Sequence, residues 1–137
     1  MTRFEKTILG ITGGSHLSVH ALMLALPSLI PVIRNEFDVG LSTLGFVVSI
    51  SGFMFGLGAI PAGWAEKRFG GRQLLLIYQA GSSISALLVA LSGSLQMMVV
   101  GLGFMGFFCS IYHPAGLTLI SHRVKSLTRG MAIHGIF

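Results

Sequence analysis

The chain has 137 residues, of which 53% are hydrophobic and only 9% are charged. An ordinary globular domain carries roughly a quarter charged residues, so this composition excludes a soluble surface and indicates a membrane protein. The net charge of +5 would suggest nucleic acid as the partner of a soluble protein, but no nucleic-acid motif accompanies it, and we expect no such partner.

Charged residues fall in short clusters that separate long uncharged stretches, at 7–33, 39–65 and 73–122. A bilayer core of about 30 Å needs about 20 apolar residues in a helix. The first two stretches therefore hold one span each, and the third holds two, divided at Ser92–Ser94. The sequence predicts an all-α membrane protein, with helices at about 8–33, 42–64, 73–91 and 96–121 and a fifth helix starting near 131. The apolar stretch that ends at Phe137 is only about two turns long, so we expect the chain to be cut inside this fifth helix.

The basic residues are sorted between the two predicted sides of the membrane. One side carries eight of them, namely Arg3, Lys6, Lys67, Arg68, Arg72, Arg123, Lys125 and Arg129, and the other carries only Arg34. The positive-inside rule predicts a cytoplasmic N-terminus in a multi-pass protein of the cell (inner) membrane. The same side chains would attract anionic headgroups of membrane lipid. His122 and His134 lie near this edge, where we expect them to be solvated or interfacial.

A tight basic loop, 63–72 (GWAEKRFGGR), joins the second and third predicted helices. Its glycines permit a sharp turn, and from spacing alone it is equally well an ordinary cytoplasmic loop. The segment resembles the cytoplasmic signature of the major facilitator superfamily, which it matches at Gly63, Arg68, Phe69, Gly70 and Arg72. The family's acidic position falls on Lys67, and the nearest carboxylate is that of Glu66, one residue earlier.

This resemblance covers the whole chain as the first part of a transporter of about twelve helices. It implies that 1–137 form four helices and the start of a fifth in an N-terminal six-helix half. Transport of a small solute by alternating access is the implied function, with the remaining helices as partners and no cofactor. Since the opposing half is missing, we expect 1–137 alone to be inactive. No nucleophile–base pair or paired carboxylates lie within the spans, so we predict no enzyme.

Within the fourth helix, 112–116 (YHPAG) resembles the aromatic-His-Pro-x-Gly element of the fosmidomycin-resistance branch of efflux transporters. Ser15, His16 and His20 are similar to that branch's polar first helix. This narrower resemblance favours export of a small anionic compound or drug. The alternative is a small membrane protein that packs against other helices and transports nothing.

Three histidines lie at predicted bilayer depth, where polar groups are costly unless they face protein or a water-filled cavity. His16 and His20 are four residues apart and share a helix face; Ser15 and Tyr112 are flanking candidates. In this superfamily the first and fourth helices line the central cavity, which implies that His113 is within reach. Such imidazoles could couple protons to transport or bind an anionic substrate, or each could simply make one interhelical hydrogen bond. Because no carboxylate or cysteine pair joins His16 and His20, we expect no metal site.

Prolines and glycines interrupt the apolar stretches. Pro27, Pro31 and Pro114 are predicted to kink their helices, for bending or merely for packing. Two sets of glycines predict close helix packing, Gly52 and Gly56 on the second helix and Gly101, Gly103 and Gly106 on the fourth. The second set also matches the GxGxxG dinucleotide fingerprint, but that fingerprint needs a preceding strand and a βαβ unit. We therefore reject nucleotide binding.

Overall fold

The computed structural model describes all 137 residues as six helices joined by short turns. Helices hold 88% of the residues and there is no strand, which confirms the predicted all-α class. The helices are α1 (Arg3–Phe37), α2 (Leu41–Phe69), α3 (Gly71–Ala90), α4 (Leu95–Ser110), α5 (Tyr112–Arg123) and α6 (Leu127–His134).

Four stretches are long and apolar enough to cross a membrane: α1, α2, α3 and the continuous segment Leu95–Arg123, which contains α4 and α5. The predicted number of apolar stretches of membrane-spanning length is thus confirmed. The fourth is interrupted at Ile111, three residues before Pro114, because a proline lacks the N–H and its ring clashes with the preceding turn. α1 runs without interruption through Pro27 and Pro31, so bending at those two residues stays a prediction.

The helices extend beyond the predicted spans, most clearly in α1, which was expected at about 8–33. A capping box begins it: Thr2 Oγ1 accepts the Glu5 N–H at 3.1 Å, and Glu5 Oε2 accepts the Thr2 N–H at 2.7 Å. The helix ends at Phe37, and its C-cap residue Asp38 has a left-handed backbone with φ of 48°. Hydropathy locates the apolar part of a helix, whereas polar caps set its ends. α6 begins at Leu127 and not near 131.

α4 lies between α2 and α3 and packs against both. A side chain at Gly106 would collide with the backbone of Ser51 in α2, and one at Gly101 would lie 2.8 Å from Val89 in α3. Close packing therefore occurs at these two glycines, while Gly103 makes only ordinary contacts.

The packed face of α2 differs from the expected one. No atom lies within 4 Å of a Cβ placed on Gly52 or Gly56, whereas Gly58 faces Phe107 and Ser110 of α4. The expectation of close packing at Gly52 and Gly56 is therefore not met among the helices of this chain. The reason is that α2 turns the face with Ser51 and Gly58 toward α4, and Gly52 and Gly56 lie off that face.

A single residue, Gly70, separates α2 from α3 and has φ of 77°, a conformation that side chains with a Cβ rarely adopt. Its N–H donates to the Glu66 carbonyl at 2.8 Å. Lys67, Arg68 and Arg72 are exposed around this turn. We call this side of the bundle, with the start of α1 and the α5–α6 connection, the basic end.

At the basic end the first turn of α1 contacts the α5–α6 connection. Glu5 precedes the uncharged stretch that begins at Thr7, so it lies outside the membrane-spanning part of α1. Its Oε1 accepts the N–H of Lys125 at 2.9 Å, and beside it Leu9, Ile120 and Val124 form a small apolar cluster. Hydrogen bonds from the Lys125 and Thr2 N–H groups hold the pKa of Glu5 below its usual range, because they favour the charged carboxylate.

Candidate functional site

His16 and His20 of α1 meet His113 of α5 on one side of the bundle. The Nε2 atoms of His16 and His20 are 3.0 Å apart, and one ring nitrogen from each of the three histidines lies within 4.8 Å of the others. The ring centroid of His113 is 5.8 Å from that of His16 and 6.4 Å from that of His20. We call these three residues the histidine group.

Side chains from two helices, α1 and α5, form this group. His16 and His20 lie one turn apart on α1, since residues four apart share a helix face. His113 is the second residue of α5, directly after the interruption at Ile111. His16 and His113 are partly buried, and His20 is exposed. The group therefore has protein behind it and an open side.

Two buried phenols anchor the turns of α1 around His16. Tyr112 Oη donates to the Thr12 carbonyl at 2.7 Å, and Tyr78 Oη donates to the Ser15 carbonyl at 2.9 Å. Tyr112 is completely buried, and its ring stacks on His16 at 5.6 Å and 25°. These two interhelical hydrogen bonds fix the position of α1 relative to α3 and α5.

The expectation that His134 is solvated or interfacial is wrong. Its side chain is only 4% exposed, and its ring centroid lies 4.5 Å from that of His16. Its Nε2 is 3.4 Å from Tyr112 Oη. Its closeness in sequence to the basic cluster predicts an edge position, but α6 folds back onto α1 and places His134 inside the bundle. His122 is exposed.

Ser15 does not join the histidine group. It lines a cavity of about 670 Å³ between α1, α3 and α5, which reaches Arg72 and Arg123 at the basic end. Most of the remaining wall of this cavity is apolar. The histidine group is the better candidate site because it brings together several ligating and titratable side chains, even though this cavity lies elsewhere.

Thr12, Tyr78 and His134 support the site but are not among the residues predicted to form it. Thr12 and Tyr78 are polar residues within uncharged spans, so the argument that selected the histidines applies to them equally. No sequence signal of that kind was available for His134, because its burial depends on the path of α6.

The chemistry available to the group is that of imidazole. The Nε2–Nε2 hydrogen bond requires one of the two nitrogens to carry a proton and the other to accept it. Nδ1 of His16 and Nδ1 of His134 are buried without a hydrogen-bond partner. Such rings can bind an anion through N–H, transfer a proton, or ligate a metal ion through a free lone pair.

The family model of the Major Facilitator Superfamily matches residues 11–137. The MFS-type transporter ppzB of Metarhizium majus is 29% identical over 119 residues, covering 83% of this chain and 26% of that protein. The tetracenomycin C resistance and export protein of Streptomyces glaucescens is 30% identical over 110 residues, covering 75% of this chain and 20% of that protein. The chain spans about a quarter or less of the length of these relatives. No solved structure gives a significant match. Since the family model covers nearly all of it, the chain belongs to the major facilitator superfamily.

Proposed function

We propose that this chain is the N-terminal part of a secondary transporter that exports a small anionic compound or drug by alternating access. The observation that carries the proposal is the convergence of His16, His20 and His113 from two spans of a transporter-family protein. Polar groups gathered at membrane depth are typical of a substrate or proton path. Export is supported by the name of the Streptomyces relative and by the resemblance of 112–116 to fosmidomycin-resistance transporters.

In the proposed mechanism the substrate lies near the midplane, between this half and a second half that rocks against it. The remaining helices of a longer chain supply that second half. α1 and α5 present the histidine group to the substrate, and Tyr112 and Tyr78 hold α1 in place through the Thr12 and Ser15 carbonyls.

The His16–His20 hydrogen bond offers a way to couple protons to an anion. In the neutral pair one Nε2–H donates to the other Nε2 across 3.0 Å. When an added proton goes to the accepting Nε2, both nitrogens carry hydrogen and neither can accept. One N–H then becomes free to donate to an anionic substrate, so protonation and anion binding favour each other.

We further propose that the basic end, including the N-terminus, lies on the cytoplasmic side of the cell membrane. Its eight cations fit the anionic inner leaflet. In the α2–α3 loop, Lys67 takes the place of the family's acid, and Glu66 is partly buried one residue before it. We infer that Glu66 supplies the carboxylate for any contact by which this loop holds the cytoplasmic gate closed.

Efflux measurements on the protein of natural length, with fosmidomycin as the first probe, test the proposal. Expression should lower accumulation of the drug. Substituting His16, His20 or His113 with Gln should reduce efflux at least about tenfold, since a hydrogen bond to a charged group contributes about 1.5–3 kcal/mol. His122→Gln, at an exposed histidine, is the matched control. Full efflux by all three variants would contradict the assigned path.

Residues 1–137 alone should not transport, because they lack the opposing half. Liposomes that contain only this segment should show no saturable uptake of the probe, and saturable uptake would refute this. If the protein of natural length is also inactive toward every anionic probe, the helix-packing alternative gains support.

A further inference from the structure

We propose that His16, His20 and His113 form a binding site for one divalent transition-metal ion, with Zn²⁺ as the ion to test. The inference rests on the proposed function in placing the ion on the substrate path, although binding of the ion does not itself require transport. The sequence alone predicts no metal site, because only two ligands share a helix. Folding adds the third ligand from α5.

The distances suit a shared ion. Zn–N bonds are about 2.0–2.1 Å, so two nitrogens in a tetrahedral site lie roughly 3.4 Å apart. The Nε2 atoms of His16 and His20 are already 3.0 Å apart, and the nitrogen of His113 lies within 4.8 Å of both ligand atoms. One coordination shell for all three therefore requires the His113 ring to rotate toward the other two.

The rings of His16 and His113 are also packed against aromatic side chains before the ion binds. Tyr112 stacks on His16 at 5.6 Å, and Phe55 meets the His113 ring edge-on at 5.9 Å. Such packing restricts the side-chain rotamers and lowers the entropic cost of ordering the ligands.

The ligand set defines the class of ion and what it would bind in turn. Three imidazoles suit Zn²⁺, Co²⁺, Ni²⁺ and Cu²⁺ rather than Mg²⁺ or Ca²⁺, which prefer oxygen. Three protein ligands leave the fourth tetrahedral position open. Neither a carboxylate nor a thiolate belongs to the group, so the bound ion keeps its double positive charge. An anionic substrate would complete the shell, and the transported species would be a metal–anion pair.

Metal binding can be measured on the protein of natural length, purified with a tag free of histidine and placed in lipid nanodiscs. Equilibrium dialysis against Zn²⁺ should give one ion per chain above empty nanodiscs. Each of His16→Gln, His20→Gln and His113→Gln should weaken binding by at least about 10- to 100-fold, the loss that outer-shell partners alone can cause. His122→Gln should bind like the unaltered protein.

The His113→Cys variant distinguishes loss of a metal ligand from misfolding. A thiolate is a good zinc ligand, so this variant should retain binding that His113→Gln loses, and Co²⁺ should show a thiolate charge-transfer band only there. No ion on the unaltered protein, or unchanged binding in the triple Gln variant, would overturn the proposal.

The two proposals fail in different ways. Histidine-dependent zinc binding combined with full efflux by the Gln variants would retain the metal site and refute the substrate path. Loss of efflux in those variants, with no zinc bound by the unaltered protein, would refute the metal site and leave the transporter proposal standing.

Discussion

At the scale of single residues, two tyrosines orient the helix that carries the histidine pair. Tyr112 and Tyr78 are both fully buried, and each donates its hydroxyl to a carbonyl of α1. Those carbonyls retain a second lone pair after their helical hydrogen bonds. In a low-dielectric interior such bonds gain strength, and an unpaired hydroxyl would be costly.

Replacing Tyr112 with Phe should lower the free energy of unfolding by about 0.5–1.5 kcal/mol, the usual net contribution of one hydrogen bond. Denaturation of the purified protein in detergent measures this. Phe46→Leu, at a ring that is 66% exposed, should change stability less. A Tyr112→Phe protein as stable as the unaltered one would show that the Thr12 contact contributes nothing.

Glu5 should make stability depend on pH. Its pKa in the folded protein is lowered from the usual 4.5 by the Lys125 and Thr2 N–H groups. A group with a depressed folded pKa stabilises above its unfolded pKa, and the contribution is lost as the pH falls through the folded value. Stability measured from pH 7 downward should therefore decline below about 4.5 more in the unaltered protein than in Glu5→Gln. Parallel profiles would contradict the assignment.

At the scale of helices, α4 occupies the centre of the bundle because its glycines allow close approach. The backbones of α4 and α2 meet at Gly106 and Ser51, and α4 meets α3 at Gly101. In a membrane, helices associate through such packing, since lipid is as apolar as their side chains.

A methyl group at Gly106 should force α2 and α4 apart. Gly106→Ala should destabilise the protein by about 1–3 kcal/mol through overpacking, which exceeds the gain of up to about 1 kcal/mol from replacing a helical glycine. Gly103→Ala is the matched control, because its nearest neighbours are 3.8 Å away; it should be neutral or stabilising. Equal stability of the two variants in thermal unfolding would argue against the contact.

At the scale of the whole molecule, one end of the bundle carries eight basic residues, and the other carries only Arg34, beside Glu36 and Asp38. The start of α1, the α2–α3 turn and the α5–α6 connection share the basic end, as the Glu5–Lys125 contact and the cavity between Arg72 and Arg123 show. This difference in charge between the two ends supports the proposed orientation.

Thiol labelling in intact cells tests that orientation. Cys109 is fully buried and should not react. A membrane-impermeant reagent should label Glu36→Cys from outside, and Lys67→Cys only after the cells are opened. Both positions are exposed, so the reverse pattern would mean that the N-terminus lies outside.

The sequence by itself determined the class, the number of spans and the family, because uncharged stretches of sufficient length and a basic glycine loop are local properties. It also placed His16 and His20 on one face, since helical periodicity fixes that relation. Only the tertiary structure decided that His113 meets this pair, that α6 buries His134, and that Gly58 rather than Gly52 or Gly56 packs against α4. Membrane helices are apolar all round, so their pattern does not reveal which face is packed. Contacts between residues a hundred positions apart, such as Tyr112 with Thr12, depend on how the helices assemble.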